Sequence, residues 1–518
     1  GRRPRRIPRW RGTNRSLPVR IGLGRSSVRE RLRRGRIKCD RMFRGSRAII
    51  QQSDLSVFHV IPRLTIAISL VPGFACAGCA PAWREVKTET ELREAIREGA
   101  PAIRLSGVIN LLQPVEIRDA HELQIRGSGI LRMAPEFRGI AAIRTRGGSN
   151  LTLGDFTIEG NRETATAARF GLPPSHVPFA AFYPRNGIVM EGGDHIRVEN
   201  LRLREIPNFA VIVSAARHIR LTGVTVEDSG SLNSGGRNNT SGGILLEEGT
   251  SDFEVRHCVL RRVRGNALWT HSRGEPRSAR GIVAGNTFSD IGRDAIQIGH
   301  ATGIRVEGNS GERIGFPSGV VDAAGHGTPV ALDTAGNVER TVYQDNRFRD
   351  VNGECINLDG FHDGQVRRNV CESTGPFENY PFAHEGIILG NSDPGMESRN
   401  IVIADNRILG TGYGGLYLIG TGHTISGNRF LLLNRSGCKG DATVARCNYA
   451  LDQPDMLRSG IYLAAGASRK SETRGNHIRG NELSGFGISR WCIAAAPGVS
   501  LKDNDIEGNT CNEDSVKR

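Results

Sequence analysis

A short motif centred on asparagine returns at nearly constant spacing through the second half of the chain, and it constrains the fold more than any other feature. Apolar residues flank each Asn, as in Val283-Ala-Gly-Asn-Thr-Phe288. The asparagines of the motif are Asn286, Asn309, Asn346, Asn369, Asn406, Asn428, Asn481 and Asn504. Four of the steps are 22 or 23 residues, and the longer steps of 37 and 53 residues fit one repeat plus an inserted loop. One Asn per repeat predicts a hydrogen-bonded ladder of amides along a stack of repeats.

A second motif interleaves with the first and reads small residue, apolar, any residue, apolar. It begins at Gly187, Ala210, Gly243, Ala267, Ala295, Pro329, Cys355, Gly386, Gly415, Gly460 and Cys492. Each run is a few residues long, alternates with period two and is bounded by Gly, Asn or Asp, as short β-strands are. No helical pattern of ten or more residues separates the runs in the sequence, which argues against βαβ units.

Short strands joined by tight turns at this period predict a solenoid. One coil cannot bury its own apolar face, whereas stacked coils share a continuous core. We therefore predict an all-β fold, a right-handed parallel β-helix from about residue 100 to the end. Thr88 or Thr90 begins a short amphipathic helix in which Leu92, Ala95 and Ile96 share one face, and this N-terminal helix is predicted to cap the first coil.

Charge is concentrated at the N-terminus. Residues 1–63 hold 19 Lys and Arg but three acidic residues, a net charge of +16, so the remainder is near −1 against an overall +15. A nearly neutral folded part lacks the basic face of a nucleic-acid-binding protein. The predicted segments are a basic region at 1–41, a signal peptide at 42–77, a linker at 78–87 and one β-helix domain at 88–518.

An export signal is predicted before residue 78. The first Met is Met42, so residues 1–41 are either an artefact of the assigned start or a disordered basic arm. A positive flank precedes the apolar run Leu64–Phe74, and Ala75-Cys-Ala77 follows as a small-residue cleavage pattern. The run is too short to span a bilayer, so we predict a secreted or periplasmic protein. The alternative is an outer-surface lipoprotein anchored at Cys79.

Ten cysteines in an exported chain permit disulfides. Cys438 with Cys447, and Cys492 with Cys511, are the predicted pairs. Cys355 stands in an apolar column and is expected to be a buried free thiol.

The repeat and the capping helix resemble those of the pectate-lyase-like superfamily of right-handed parallel β-helix proteins, over residues 90–515. The superfamily includes polysaccharide lyases, uronan epimerases, glycoside hydrolases, adhesins and phage tailspikes, so the resemblance implies a protein that acts on polysaccharides. Its motifs are incomplete here. Gly325-His326-Gly327 is similar to a fragment found in polygalacturonases, but the Asn-Thr-Asp and Asp-Asp motifs of that family are missing from this sequence. Trp269-Thr-His271 is similar to the Trp-x-Asp-His segment of pectate lyases, but this sequence lacks the Asp.

In the second motif the apolar residues point inward, so two columns of side chains point outward along the stack. The first column is Val189, Ile212, Leu245, Trp269, Gln297, Ala331, Asn357, Ile388, Tyr417, Tyr462 and Ala494. The second column is Glu191, Ser214, Glu247, His271, Gly299, Asp333, Asp359, Gly390, Ile419, Ala464 and Ala496. Polar residues gather in the middle coils, which favours a functional site there over a merely solvated face.

Adjacent coils lie about 4.8 Å apart, so the second column predicts two neighbouring pairs. Asp333 beside Asp359 is either an acid–base couple or, together with Glu247, a Ca²⁺ site. His271 beside Glu247 is a predicted oriented base. The catalytic candidates are therefore Glu247, His271, Asp333 and Asp359.

Candidate glycan-binding residues surround these four. They are Trp269, Gln297, His300, Asn357, His362, His384 and Tyr417. Trp269, and Tyr417 with Tyr462, are candidates to stack on sugar rings, and the alternative for the tyrosines is packing under the insertion at 432–457. The loop candidates at the groove edge are Arg293, Asp294, Asp322, His326, Asp363 and Glu385. For Asp294 and Asp363 a turn residue that bonds its own backbone is favoured.

Three functions follow from the resemblance and the polar columns. The leading hypothesis is a polysaccharide lyase or related uronan-modifying enzyme, in which Ca²⁺ neutralises a uronate and His271 or a loop His abstracts the ring proton. The second is a glycoside hydrolase that uses Asp333 and Asp359, where a carboxyl separation of about 5 Å indicates retention and about 6.5–9.5 Å inversion. The third is a non-catalytic glycan-binding surface protein. In each, the partner is a polysaccharide or oligosaccharide, and a monomer is expected.

Overall fold

The computed structural model describes residues 82–165, 170–438, 453, 455–466 and 468–515. Three long parallel sheets, named A, B and C, wind around one apolar core. The predicted basic region and signal peptide, Cys79 and Cys447 lie outside the described residues. In the described part of the chain the longest helix has nine residues, and none is long enough to cross a membrane.

The strands are short and nearly uniform in length. Sheet A contains Arg84–Val86, Ala102–Leu105, Gln124–Gly127, Thr152–Gly154, Asp194–Glu199, Arg217–Thr222, Glu254–Arg256, Ile282–Ala284, Arg305–Glu307, Val342–Gln344, Gln365–Arg367, Val402–Ala404, Thr424–Ser426, His477–Arg479 and Asp505–Glu507. Sheet B contains Val115–Arg118, Ala141–Arg146, Asn186–Glu191, Val211–Ser214, Ile244–Glu247, Leu268–His271, Ser278–Ala279, Ile296–Thr302, Val330–Glu339, Glu354–His362, Ile387–Gly390, Leu416–Leu418, Ile461–Leu463 and Ile493–Ala495. Sheet C contains Val108–Leu111, Ile130–Met133, Thr157–Glu159, Arg202–Arg204, Thr225–Glu227, Val259–Val263, Thr287–Ile291, Ser310–Ile314, Arg347–Val351, Val370–Glu372, Arg407–Leu409, Arg429–Leu433, Glu482–Gly485 and Thr510–Glu513.

The remaining elements are small. Gly420–Thr421 pairs with Thr473–Arg474 in a separate two-stranded sheet. The α-helices are Glu89–Arg97, Arg162–Ala165, Phe179–Phe182 and Ala323–His326, and 3₁₀ turns lie at Ser318–Val320, Phe377–Asn379, Met456–Arg458 and Leu501–Asp503. The predicted parallel β-helix with an N-terminal capping helix is confirmed.

Alternation of side chains along each strand produces the core. In the sheet A strand Arg217–Thr222, Ile219 and Leu221 are buried and the other four residues are exposed. Sheet B departs from this pattern, because all four residues of Val211–Ser214 and of Ile244–Glu247 are buried. Both faces of sheet B are therefore covered in these coils.

The capping helix begins as predicted at Thr88. The Thr88 side chain accepts a hydrogen bond from the Glu91 N–H at 3.2 Å, and the Glu91 carboxylate accepts one from the Thr88 N–H at 3.2 Å. This reciprocal arrangement satisfies two backbone donors at the start of the helix.

The predicted linker at 78–87 was drawn too long, since Arg84–Val86 already pairs with Ala102–Leu105 as the first strand of sheet A.

Buried asparagines form the predicted ladder between coils. Each amide donates to the next Asn Oδ1 and to a backbone carbonyl of the preceding coil. The chain of donors runs through Asn286, Asn309, Asn346, Asn369, Asn406, Asn428, Asn481 and Asn509. The placement of Asn504 in this ladder was wrong. Asn481 pairs instead with Asn509, which lies one turn after Asn504 in the same coil. Asn504 belongs to a second column, in which it accepts a hydrogen bond from Asn476 at 2.9 Å.

Two disulfides link sheet B strands, or the residue before one, to sheet C strands. Cys492 pairs with Cys511 as predicted, with 5.8 Å between their α-carbons. Cys438 is disulfide-bonded. The expectation of a free thiol at Cys355 was wrong, because it pairs with Cys371 across the core at an α-carbon distance of 6.0 Å.

Replacing Asn346 with Ala is expected to lower the free energy of unfolding by about 3 kcal/mol, because buried partners on both neighbouring coils lose their hydrogen bonds. Urea denaturation followed by circular dichroism measures the change. The exposed Asn512, replaced in the same way, is expected to cost less than about 0.5 kcal/mol. Equal effects of the two substitutions would contradict a stabilising ladder.

Candidate active site on the outer face of sheet B

The strand register of sheet B reproduces most of the two predicted outward columns. The aligned residues of the first column are Val189, Ile212, Leu245, Trp269 and Gln297, followed beyond one coil by Asn357, Ile388, Tyr417, Tyr462 and Ala494. The predicted neighbours Glu247 and His271 are aligned in the second column. The coil between Gln297 and Asn357 is the exception.

Asp333 belongs to the first outward column and not to the second. It pairs with Gln297, while Ala335 pairs with Asp359. The motif was placed at Pro329-Val-Ala-Leu332, but the strand aligns two residues later. A shift of two residues leaves the inward and outward sides unchanged, so the apolar pattern cannot detect it. The prediction that Asp333 and Asp359 are adjacent in one column was therefore wrong.

Two amides hold the Asp333 carboxyl group, which is only 5% exposed. Gln297 Nε2 donates to Oδ2 at 2.6 Å from one coil, and Asn357 Nδ2 donates to Oδ1 at 2.9 Å from the other. Asn266 donates in turn to Gln297 Oε1 at 2.6 Å and so fixes the orientation of that amide. The register of three coils therefore determines where the carboxyl group points.

The electrostatic surroundings favour a protonated Asp333. Burial raises the pKa of Asp333 well above its ordinary value, and the carboxyl groups of Asp294 and Glu354 raise it further. Burial likewise raises the pKa of Asp294, and raises that of Glu354 to about 7. The Arg293 guanidinium, which lies 3.5 Å from Asp294 Oδ2, opposes this rise in pKa.

Asp359 lies diagonally across from Asp333 on the same face. Neighbouring coils are about 4.8 Å apart and two residues along a strand span about 6.6 Å, so the two β-carbons lie about 8 Å apart. Burial raises the pKa of Asp359, but Ser392 opposes the rise, because its hydroxyl and its N–H both donate to the carboxylate, the latter at 2.8 Å. The ionised form is therefore better supported at Asp359 than at Asp333.

A groove floor lies beside these two carboxyl groups. Between His271 and Asp359 the second column carries only the small residues Gly299, which is buried, and Ala335, which is partly exposed. The ring of His300 lies against Gly336, where an added β-carbon would come within 2.8 Å of it. Two coils with small residues in the second column thus separate His271 from Asp359.

Residues 170–185, called the covering segment below, lie over the N-terminal part of this face. Phe179, Ala180 and Tyr183 pack on the apolar outward residues of the earlier coils, which include Val189 and Leu245. A cleft of about 350 Å³ opens beside the segment. Its lining includes Pro173, Phe179, Trp269, His271, Arg273, Arg293, Gln297 and His326. The cleft leads from the covering segment toward Gln297, the neighbour of Asp333.

Glu247 anchors the covering segment. Its two carboxylate oxygens each accept a backbone N–H at 2.9 Å, from Phe179 and from Ala180, and the residue is fully buried. Burial raises the pKa of Glu247 to about 7 against these two hydrogen bonds. Both oxygens face the segment, so the proposed role of Glu247 as orienter of His271 or as a metal ligand is not supported.

Aromatic rings surround His271. Its ring centroid lies 5.4 Å from that of Phe179 and 5.0 Å from that of Trp269. Burial lowers the pKa of His271 to about 4, so the imidazole is neutral at physiological pH and a weak base. Trp269 itself is 7% exposed and meets Phe179 edge-on at 4.9 Å, which leaves it at the cleft wall under the segment.

The predicted Ca²⁺ site is not formed by its three proposed ligands. Among the described residues, Glu247, Asp333 and Asp359 do not come together as a group that could hold an ion. Glu247 and Asp333 stand three coils apart, or about 14 Å along the stack.

Two further predicted binding residues, His362 and Tyr417, have side chains that contact other residues of the chain. His362 is bonded on both nitrogens, to Asp363 at 2.9 Å and to Asn337 at 2.8 Å. Tyr417 is 6% exposed and stacks on buried Tyr462 with 6.2 Å between centroids, so the sugar-platform interpretation of this pair was wrong.

His384 belongs to the buried charge cluster beside Asp333. Burial lowers the pKa of His384, but Glu385 and Glu354 outweigh it and raise the pKa to about 9. His384 Nδ1 contacts Glu385 and lies 3.7 Å from Glu354 Oε1. A protonated His384 therefore compensates part of the negative charge behind the groove.

The sequence reasoning missed Glu354 and assigned Asp294 to a turn. Both belong to a third column, two residues before the first core residue of each sheet B strand. Its members in the middle coils are Asn266, Asp294, Val330, Glu354 and Glu385, and all are buried. The same repeat that gave the two outward columns would have revealed it. The covering segment was missed as well, although the apolar outward residues of the early coils indicated it.

Comparisons with known proteins concern mainly the architecture. The family model described as "Right handed beta helix region" matches residues 246–430 and 330–513, which together exceed half of the chain. No curated protein matches the sequence.

Solved structures share the coiled architecture at low identity. The surface adhesin PfbA of Streptococcus pneumoniae is 11% identical over 66% of this chain and 88% of its own, with a TM-score of 0.49. The catalytic domain of a GH87 alpha-1,3-glucanase is 12% identical over 85% and 71%, with a TM-score of 0.48. The Dettilon tailspike protein is 14% identical over 65% of this chain and 62% of its own, with a TM-score of 0.46. At these values the likeness carries no argument about activity.

Replacing Glu247 with Ala is expected to release the covering segment, because the Phe179 and Ala180 amides lose their acceptor. Hydrogen exchange at these amides is expected to accelerate by about tenfold or more, read by mass spectrometry of peptides from 170–185. Glu312, a half-exposed residue of sheet C that contacts Arg349, provides the matched control. Unchanged protection of 170–185 in the Glu247 variant would contradict the anchoring role.

Proposed function

Because the chain belongs to the right-handed β-helix family, we propose that its outward groove on sheet B binds a polysaccharide and hydrolyses a glycosidic bond within it. The observation that carries this proposal is the diagonal pair Asp333 and Asp359: burial raises the pKa of both carboxyl groups, but their neighbours add to the rise at Asp333 and oppose it at Asp359. Burial and like charges favour the protonated form of Asp333, whereas Ser392 supports the ionised form of Asp359. Such a division provides an acid and a base in one site.

In this mechanism Asp333 is the general acid and Asp359 the general base. Asp333 donates its proton to the glycosidic oxygen as the bond from that oxygen to the anomeric carbon breaks. Asp359 takes a proton from a water molecule whose oxygen forms the new bond to the same carbon from the opposite face. The β-carbon separation of about 8 Å leaves room for that water and favours inversion.

We favour hydrolysis over the elimination reaction of a lyase for two reasons. Glu247 lies three coils away from Asp333, so the three side chains predicted to bind Ca²⁺ do not form a site for it. The cation that would acidify a uronate therefore has no site among them. The low pKa of His271 also makes it a poor base for abstracting a ring proton. The groove instead offers carboxyl groups, which suit acid–base hydrolysis.

Export to an oxidising compartment is part of the proposal. The Cys355–Cys371 and Cys492–Cys511 disulfides support it, since such bonds persist outside the reducing cytosol. A polysaccharide substrate is likewise encountered outside the cell.

Asp333→Asn and Asp359→Asn are each expected to lower kcat by about 10³-fold or more, because each removes one half of the acid–base couple. The assay screens neutral and uronic-acid glycans for new reducing ends, with and without chelator, and determines the anomer first formed. Asp290→Asn, in an exposed ion pair with Arg313, is the matched control and is expected to retain full activity.

Two results of this assay would contradict the proposal. Formation of an unsaturated, ultraviolet-absorbing product that requires both aspartates would indicate a lyase. Glycan binding without turnover, unaffected by either substitution, would indicate a non-catalytic binding protein.

Asp294→Asn is expected to shift the alkaline limb of the pH–rate profile to lower pH. The Asp294 carboxylate raises the pKa of Asp333 by repulsion, so its removal lets Asp333 lose its proton at lower pH. The amide can still accept the Val330 N–H, which Asp294 Oδ1 now accepts at 3.0 Å. A shift toward higher pH, or a change in KM alone, would argue against Asp333 as the acid.

A further inference from the structure

Two histidines from successive coils meet on a different face of the β-helix. Asp194 pairs with Arg217 and Ile196 with Ile219 in sheet A, so His195 and His218 occupy the same place in neighbouring coils. Both have left-handed backbone, with φ of 55° and 51°. Their rings stack with 4.4 Å between centroids and 22° between planes.

Both imidazoles point at one carboxylate oxygen. Asp194 Oδ1 lies 2.9 Å from His195 Nδ1 and 2.6 Å from His218 Nδ1. The other oxygen, Oδ2, faces the Arg217 guanidinium at 3.8 Å. Two nitrogen ligands and one oxygen ligand therefore converge within 4.8 Å of one another, which among the described residues occurs at this place alone.

The two histidines border an open cleft of about 320 Å³. Its lining residues are His195, Arg197, His218, Arg220, Asp252, Phe253, Glu254, Arg280 and Ile282. Arg280 donates to both oxygens of Asp252 at 2.6 Å, so this other acidic residue of the cleft is already paired. Asp194 is thus the carboxylate available to a ligand at the two histidines.

We propose that Asp194, His195 and His218 bind one divalent transition-metal ion, with Zn²⁺ as the reference ion. Ligand bonds of about 2.0–2.1 Å in tetrahedral geometry place ligand atoms about 3.3 Å apart, so the observed contacts must open by about 0.4–0.7 Å. On binding, each neutral imidazole offers the Nδ1 lone pair and carries its proton on Nε2. The fourth position faces the cleft and takes water or an anionic group.

The donor set selects the class of ion. Imidazole nitrogen suits Zn²⁺, Cu²⁺ and Ni²⁺, whereas Ca²⁺ and Mg²⁺ require oxygen ligands. The contact between Arg217 and Asp194 Oδ2 orients the carboxylate so that Oδ1 faces the imidazoles. This site lies on sheet A and is independent of the chemistry proposed for sheet B.

Titration of untagged, metal-free protein with ZnCl₂ tests the site. Competition with a chromophoric chelator is expected to give one Zn²⁺ per chain with a Kd of about 1 μM or below. The double variant His195→Asn and His218→Asn is expected to bind at least about 100-fold more weakly. Asn tolerates left-handed backbone, and both rings are about half exposed, so the fold is expected to persist, as thermal denaturation will show.

His477→Asn is the matched control. His477 also lies on sheet A and contacts one carboxylate, Asp505 Oδ2, at 2.9 Å, but the ring of the neighbouring His423 is buried and bonded to the backbone of Ile401 and Ile419. This variant is expected to bind Zn²⁺ as the unmodified protein does. Absence of saturable Zn²⁺ binding, equal binding by the folded double variant, or loss of binding in His477→Asn would each overturn the proposal.

Discussion

The register between coils is the constraint on which the rest of the structure depends. Backbone hydrogen bonds set the spacing of parallel strands, and the Asn ladder fixes it at one turn of every coil from Asn286 to Asn509. Each rung satisfies a buried amide only if the neighbouring coil is in place. The positions of the outward side chains therefore depend on asparagine hydrogen bonds on the far side of the core.

The groove on sheet B follows from that register. It brings Gln297 and Asn357 to either side of Asp333 and places Ala335 opposite Asp359. The cost of burying carboxyl groups is offset by amide hydrogen bonds and by protonation, since the environment raises the pKa of Asp333. Stability and reactivity thus share one cause, because the coils that satisfy these groups also hold them ready for proton transfer.

Periodicity in the sequence was sufficient for the fold, the cap at Thr88 and most of the outward columns. It failed at Asp333, because two alignments that differ by two residues leave the same side chains pointing outward. It also failed at Glu247, because the contacts of this residue come from a segment outside the repeat. The apolar residues Ile212 and Leu245 indicated a cover, but the covering segment has no repeat that would identify it. Tertiary contacts between segments distant in sequence leave little trace in a local pattern.

The central claim is that Asp333 and Asp359 stand diagonally across a groove that holds a glycan. A crystal structure of Asp333→Asn with a bound substrate oligosaccharide tests it most directly. We predict a glycosidic oxygen within hydrogen-bonding distance of residue 333 and a water molecule between the anomeric carbon and Asp359, with the two side-chain carbonyl carbons about 6.5–9.5 Å apart. A glycan bound on another face, or residues 333 and 359 both on one side of the scissile bond, would contradict the account.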